Sequence, residues 1–168
     1  MLFIKYILTY IGCKLVNPVW SFPINLAIWL KMFLSPKRYR EVKARIKELR
    51  KVVKTLSDLD RELVCFSWRK DRWFDWVPWI SVFLYRSGRD DCDGAATFTC
   101  WLAKLVGLTA RKVTVISKKF FAGNHAVALI SETYLYSNGV CVISKWNPLD
   151  KYVKGGNEWK QEFYKRTV

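Results

Sequence analysis

The 168-residue chain contains one histidine, His125, and five cysteines: Cys13, Cys65, Cys92, Cys100 and Cys141. A thiol is nucleophilic as the thiolate, and imidazole is the side chain best matched to exchange its proton near neutral pH. With a single imidazole, few Cys–His pairs can be drawn. Cys92 stands in Gly88-Arg89-Asp90-Asp91-Cys92-Asp93-Gly94-Ala95-Ala96, ahead of a largely apolar run that stops at Gly107. Asp90 or Asp91 as cap and Gly107 as stop predict a helix with Cys92 in its first turn. There the unsatisfied N–H groups and the helix dipole favour thiolate. Asp91 and Asp93 oppose that effect, and Arg89 supports it. Gly94, Ala95 and Ala96 leave room for another element to approach the sulfur.

The remaining parts of such a site must come from strands. Alternation of Val113 and Val115 predicts a strand over 111–117, 124–130 reads as a second that opens near His125, and 133–138 as a third. Hairpin register then decides which side chain accompanies the imidazole. A two-residue turn at Ser131-Glu132 pairs His125 with Asn138, and a four-residue turn keeps Asn138 on the same face. A three-residue turn brings Ser137 there instead. Asn138 is the expected orienting residue, its amide oxygen accepting from the ring, with Ser137 and, farther along, Asp150 as alternatives. Each residue alone has a plainer reading, since isolated cysteines in helices and isolated histidines on apolar strands are usually core groups.

Five cysteines without a CxxC pair make a poor disulfide framework and a poor zinc site, and no cofactor or metal is expected. Reduced thiols fit a cytoplasmic setting. Apolar residues make up 51% of the chain, which excludes disorder, while 29 Lys and Arg against 14 Asp and Glu give +15. Much of that charge is local. Positions 37–54 hold nine Lys and Arg against Glu41 and Glu48, a surplus of seven, around an apolar seam of Tyr39, Val42, Ile46, Leu49, Val53 and Leu56. Ser35-Pro36 predicts the start of this helix, and 57–60 a break before a short helix ending near Phe66.

Residues 2–34 are rich in apolar side chains interrupted by Lys5, Lys14 and Lys31. The uncharged stretch 15–30 is 16 residues long and contains Pro18 and Pro23. It falls short of the ~20 residues of a membrane span. Two shorter helices, 3–15 and 24–34, are expected, either packed on the body or lying peripherally in a membrane interface. The basic face over 37–54 suits an anionic membrane or another polyanion, although most such faces are simply solvated.

The Cys92 segment, Gly107-Leu108-Thr109-Ala110-Arg111 and His125-Ala126-Val127 together resemble the transglutaminase-like branch of the papain-like superfamily, in particular bacterial transglutaminase-like cysteine proteinases. Leu135-Tyr136-Ser137-Asn138 occupies the place of that family's acid-bearing strand. The tryptophan-rich stretch from Trp68 through Trp73, Trp76 and Trp79 resembles its lead-in. The likeness covers roughly 66–146. It implies an α+β fold, with the nucleophile at a helix N-terminus packed on a small antiparallel sheet and N-terminal helices before it. The expected organisation is an apolar helical segment at 1–34, a basic helical region at 35–66 and a catalytic core at 67–168.

By the same resemblance Cys92 is the nucleophile, His125 the acid/base and Asn138 the orienting group, in a position where the family usually has Asp. The implied activity is amide hydrolysis through an acyl-thioester, on a peptide, protein or cell-wall amide. Glutamine acyl transfer is a variant of the same chemistry, and the Trp76 indole is an expected oxyanion donor. Asp91-Cys92-Asp93-Gly94 also echoes the Asp-Cys-Ser-Gly box of cell-wall cysteine peptidases, but the 33-residue step from Cys92 to His125 fits the transglutaminase pattern better. The competing expectation is an inactive fold of this kind that binds membrane or nucleic acid through its basic helix.

Overall fold

The structure is a computed structural model and describes Leu8 and residues 17–69, 77–117, 125–143 and 159–161. It is α+β. Helix α1 (Asn17–Phe33) is followed by α2 (Pro36–Val52) and α3 (Leu56–Leu63). Strand β1 (Ser67–Trp68), helix α4 (Ile80–Tyr85) and strand β2 (Arg89–Asp90) lead into α5 (Cys92–Leu105). Strands β3 (Ala110–Ser117), β4 (His125–Ile130), β5 (Tyr134–Ser137), β6 (Val140–Ile143) and β7 (Trp159–Gln161) complete the chain order.

The last five strands form one antiparallel sheet in the order β6-β5-β4-β3-β7. Its two faces carry different clusters. Ala126, Ala128, Ile130 and Tyr136 join Ala96, Phe98, Cys100, Leu102 and Ala103 of α5, together with Leu49, Val53, Leu59, Leu63 and Phe83 from the helices before it. Val113, Val115, Val127, Leu129 and Leu135 alternate with these and make a second buried cluster. This is the period-two pattern of strands buried on both faces. Helix α5 is the centre of the fold, with ten of its residues buried from Asp93 to Ala103. Phe66, Phe83, Phe98 and Trp101 form an aromatic row along it, with successive centroids 6.3, 4.6 and 5.8 Å apart.

The helices before α5 follow their local signals, with two corrections. Pro36 opens α2 as expected, and Val42, Leu49 and Val53 are buried along its seam. The cap of α3 is Thr55 rather than a residue of 57–60. Its hydroxyl accepts from the Asp58 N–H while Asp58 accepts from the Thr55 N–H, a reciprocal capping box. Helix α1 runs without interruption through Pro18 and Pro23, where a break was expected. Pro18 lies in the first turn, where its missing donor costs nothing, and Pro23 removes one rung on an exposed face. The expected helix over 3–15 lies outside the described residues.

Strand β5 is tied back to the helices by the Tyr136 hydroxyl, which donates to Asp60 Oδ1 at 2.7 Å. Burial, then the bond to Asp60, raises the Tyr136 pKa above its ordinary value. Because the acceptor is a carboxylate, Tyr136→Phe is expected to lower unfolding free energy by about 1.5–3 kcal/mol with no change in denaturant m-value, measured by urea titration. An unchanged midpoint would remove this bond from the account.

Candidate active site

The approach to Cys92 is built by backbone pairing. Gly88, at φ +68°, lets the chain turn from α4 into β2. The Ser67 N–H then donates to the Gly88 carbonyl at 3.1 Å, and the Arg69 N–H to the Asp90 carbonyl at 2.7 Å. Asp91 is the N-cap of α5, accepting from the Asp93 N–H at 2.9 Å, so Cys92 is the first helical residue. That placement agrees with the sequence reading.

The carboxylates around Cys92 have separate jobs. Asp90 is fully buried, accepts from the Asp91 N–H at 3.0 Å and faces Arg86 at 3.3 Å. It also lies directly against Gly94: a Cβ there would stand 2.4 Å from Asp90 Oδ2 and 2.6 Å from its Cβ. Gly94 therefore makes room for a carboxylate at the positive end of α5, where the dipole stabilises it. Asp93 turns the other way and meets Lys112 of β3 at 2.9 Å, with both side chains almost wholly buried.

His125 is the first residue of β4, opposite Val115. Its Nε2 is 2.8 Å from Ser137 Oγ. The cause is the β4–β5 register. Ile130 pairs with Tyr134, Leu129 with Leu135 and Ala128 with Tyr136, so the loop has three residues, Ser131–Thr133. Ser131 and Glu132 adopt φ of 49° and 54° in it. One more step along β5 puts Ser137 level with Val127, on the face that His125 uses. Of the three loop lengths weighed from sequence, this is the one that selects Ser137.

Asn138, the expected orienting residue, does a different job. It is exposed and at φ 49°, followed by Gly139 at φ 81°, in the two-residue turn between Ser137 and Val140. Two successive left-handed residues of the type Asn-Gly make the turn that matches strand twist. The signal was legible as Asn-Gly between two apolar runs, and it outweighs the amide's capacity to serve the ring. Asp150, Trp73 and Trp76 lie outside the described residues. Trp68 and Trp79 are exposed, at 57% and 38%.

The structure joins His125 to Ser137 and packs Cys92 on the cluster of the α5 side of the sheet. Cys92 is half-buried and packs against the cluster shared by α5 and the sheet, which includes Ala126 and Ala128. Alternation places the His125 side chain with Val127 and Ser137, on the other face of β4. The charge of Asp93 acts on the His125 ring, so the first turn of α5 and the start of β4 share one end of the fold. Burial lowers the His125 pKa from its ordinary 6.5, and Asp93 offsets part of that shift. The net direction favours the neutral ring. Other thiols are held back: burial pushes Cys100 up to about 12 and raises Cys141.

Among the described residues, no group of three or more His, Cys, Asp and Glu side chains is placed to hold a metal ion. None of the described helices is long and apolar enough to cross a membrane. No protein-family model, curated protein or solved structure matches the chain.

As the only histidine, His125 gives a single imidazole signal by NMR. It is expected to titrate below 6.5, with Ser137→Ala shifting that midpoint and Asn138→Ala leaving it in place. Asn138→Ala instead costs about 1–2 kcal/mol of stability by forcing a Cβ-bearing residue without a turn-compatible side chain into the left-handed region. Equal shifts from both variants would return Asn138 to the ring. The folded ring holds its proton more weakly than a free imidazole, so the unfolded chain binds more protons just below pH 6.5. The stability it contributes is present above that pH and is lost as pH falls through the folded value. Asp93→Asn removes the one raising charge and strands Lys112. The midpoint is expected to fall further and stability to drop by about 3–5 kcal/mol, read from the same titration and from urea unfolding.

Proposed function

We propose that the chain is a cysteine-dependent amide hydrolase of the transglutaminase-like type, with Cys92 as nucleophile, His125 as acid/base and Ser137 as the residue that orients the ring. The observation that carries this reading is the 2.8 Å contact between His125 Nε2 and Ser137 Oγ. It engages one ring nitrogen with a side chain from the neighbouring strand, and in this reading the other, Nδ1, exchanges a proton with the thiol. An orienting group on the far nitrogen is what Cys–His catalysis requires, because it fixes the tautomer and the plane of the ring. The hydroxyl brings no negative charge, so it orients without stabilising imidazolium as a carboxylate would.

In this mechanism His125, at the first position of β4, swings its ring round the end of the strand toward α5, and the Cys92 thiol passes its proton to Nδ1 as the sulfur attacks an amide carbonyl carbon. The tetrahedral oxyanion is held by the Cys92 backbone N–H at the start of α5. Nδ1–H then protonates the departing amine as the C–N bond breaks, giving an acyl-thioester. Water attacks the thioester with its proton passing to Nδ1, and the carboxylic acid leaves as the thiol is restored. An amine in place of water gives acyl transfer. A lowered His125 pKa favours the neutral ring, so in this mechanism proton transfer accompanies attack rather than preceding it.

The neutral ring also favours the second reading, a fold of this type without catalysis, because it supplies no positive charge to draw the thiol toward thiolate. Iodoacetamide labelling read by mass spectrometry separates the two. Catalytic pairing predicts that Cys92 alkylates faster at pH 7 than the more exposed Cys65, and that His125→Ala slows Cys92 at least tenfold while leaving Cys65 alone. If Cys92 reacts no faster than Cys65 and is indifferent to His125→Ala, the site is inert and the second reading holds.

A further inference from the structure

Helix α1 buries Met32 together with two polar side chains and leaves an apolar stripe on its outward face. Its polar side chains Ser21 and Asn25 point into the protein and are buried. Asn25 Nδ2 donates to the Val77 carbonyl at 2.8 Å, the Trp79 N–H donates to Asn25 Oδ1 at 2.7 Å, and the Val77 N–H donates to Ser21 Oγ at 2.9 Å. Val19, Phe22, Leu26, Leu30, Phe33 and Leu34 recur at three- and four-residue spacing on the opposite face. They are exposed by 68, 58, 36, 46, 52 and 81%. An ordinary surface helix shows the reverse arrangement. A continuous stripe of this size at a protein surface marks an interaction site rather than scattered apolar residues.

The stripe runs straight into the basic helix. Leu34 and Ser35 close a tight corner through bonds to the Leu30 and Met32 carbonyls at 2.9 and 3.0 Å. Trp29 stacks on Phe33 with centroids 5.4 Å apart, Phe33 meets the Tyr39 ring edge-on at 5.5 Å, and Lys43 Nζ lies 5.3 Å from the Tyr39 centroid. Lys31, Lys37, Arg38, Arg40 and Lys43 are all exposed around this corner.

We propose that the α1 face and the α1–α2 corner form a docking surface for an anionic lipid bilayer, with the α1 stripe in the acyl–headgroup boundary and the α2 bases on the headgroups. The charge pattern selects this occupant. A second copy placed on the stripe would bring two strongly basic helices together in a chain already at +15. A polynucleotide would engage the bases and leave the apolar face in water. An anionic bilayer satisfies both at once, as peripheral amphipathic helices do. The α1 bonds to 77–79 attach this surface to the segment that begins α4, so docking would hold the body of the protein at the membrane through a fixed link.

The experiment is co-sedimentation of the full chain with sucrose-loaded vesicles of phosphatidylcholine alone or with about one third phosphatidylserine. Binding is expected to the anionic vesicles and to fall with salt. Lys37, Arg38, Arg40 and Lys43 replaced by Ser should weaken it about fivefold per base. Leu30→Ser with Leu34→Ser should weaken it about tenfold or more. All six side chains are exposed, and circular dichroism confirms folding of each variant. Equal binding to neutral and anionic vesicles overturns the proposal, and so does binding that ignores the two leucine replacements. Absence of vesicle binding also overturns it, whether accompanied by a concentration-dependent dimer that Leu34→Ser dissolves, by salt-sensitive binding to duplex DNA, or by neither. None of these readouts involves Cys92, so the surface and the catalytic reading stand or fall separately.

Discussion

The ion pair between Lys112 and Asp93, 2.9 Å long and nearly closed to solvent, is the constraint on which the rest of the arrangement turns. A lysine on a central strand is costly to bury, and only a partner with good geometry makes it tolerable. Asp93 is that partner because Asp91 caps the helix and sets the rotation of its first turn. The pair fixes both how α5 rolls on the sheet and how far it slides along it. It also explains why so much carboxylate surrounds a candidate nucleophile. Asp90 stabilises the helix end, Asp91 stops it, and Asp93 neutralises a strand lysine. Each has a structural task, and their combined field is a consequence that the thiol must live with.

Burial of the His125 ring favours neutral imidazole, which opposes an ion pair between Cys92 and His125 in the resting state. Such a site differs in kind from one in which a preformed thiolate waits for substrate. In the proposed mechanism its reactivity depends on the proton moving during attack, which makes the placement of the ring more important than its basicity. A serine that positions without charging the ring is consistent with that division.

Much of this was legible in the sequence because local chemistry dictates it. The cap–Cys92–Gly107 pattern specified α5, Ser35-Pro36 specified the start of α2, and Val113 with Val115 specified β3. The third site residue was legible only as a choice among loop lengths, since register depends on the conformation of three residues that lack a strong turn signature. Ser131 and Glu132 both take left-handed φ without being glycine or asparagine, so nothing in their types announced it. Asn138-Gly139 was a clear turn signal overshadowed by the amide's chemical appeal. The continuity of α1 through Pro23 was not legible, because the polar contacts of Ser21 and Asn25 that anchor it come from residues more than fifty positions away. Its outward-facing apolar side could be read only once those contacts showed which face turns inward.

The three-residue loop at 131–133 has an evolutionary consequence. Losing one codon there with the loop held at three residues would slide β5 by a residue and offer Asn138 to the ring in place of Ser137. The same slide would carry Leu135 into the layer now held by Tyr136 and drag Tyr136 off Asp60. A change of site residue through loop length is thus coupled to the repacking of a whole strand, whereas a point substitution at 137 is not. The strand's hydrophobic alternation acts as a ratchet: a substitution at position 137 leaves the packing of β5 in place, whereas moving the contact with the ring to the neighbour one residue along does not.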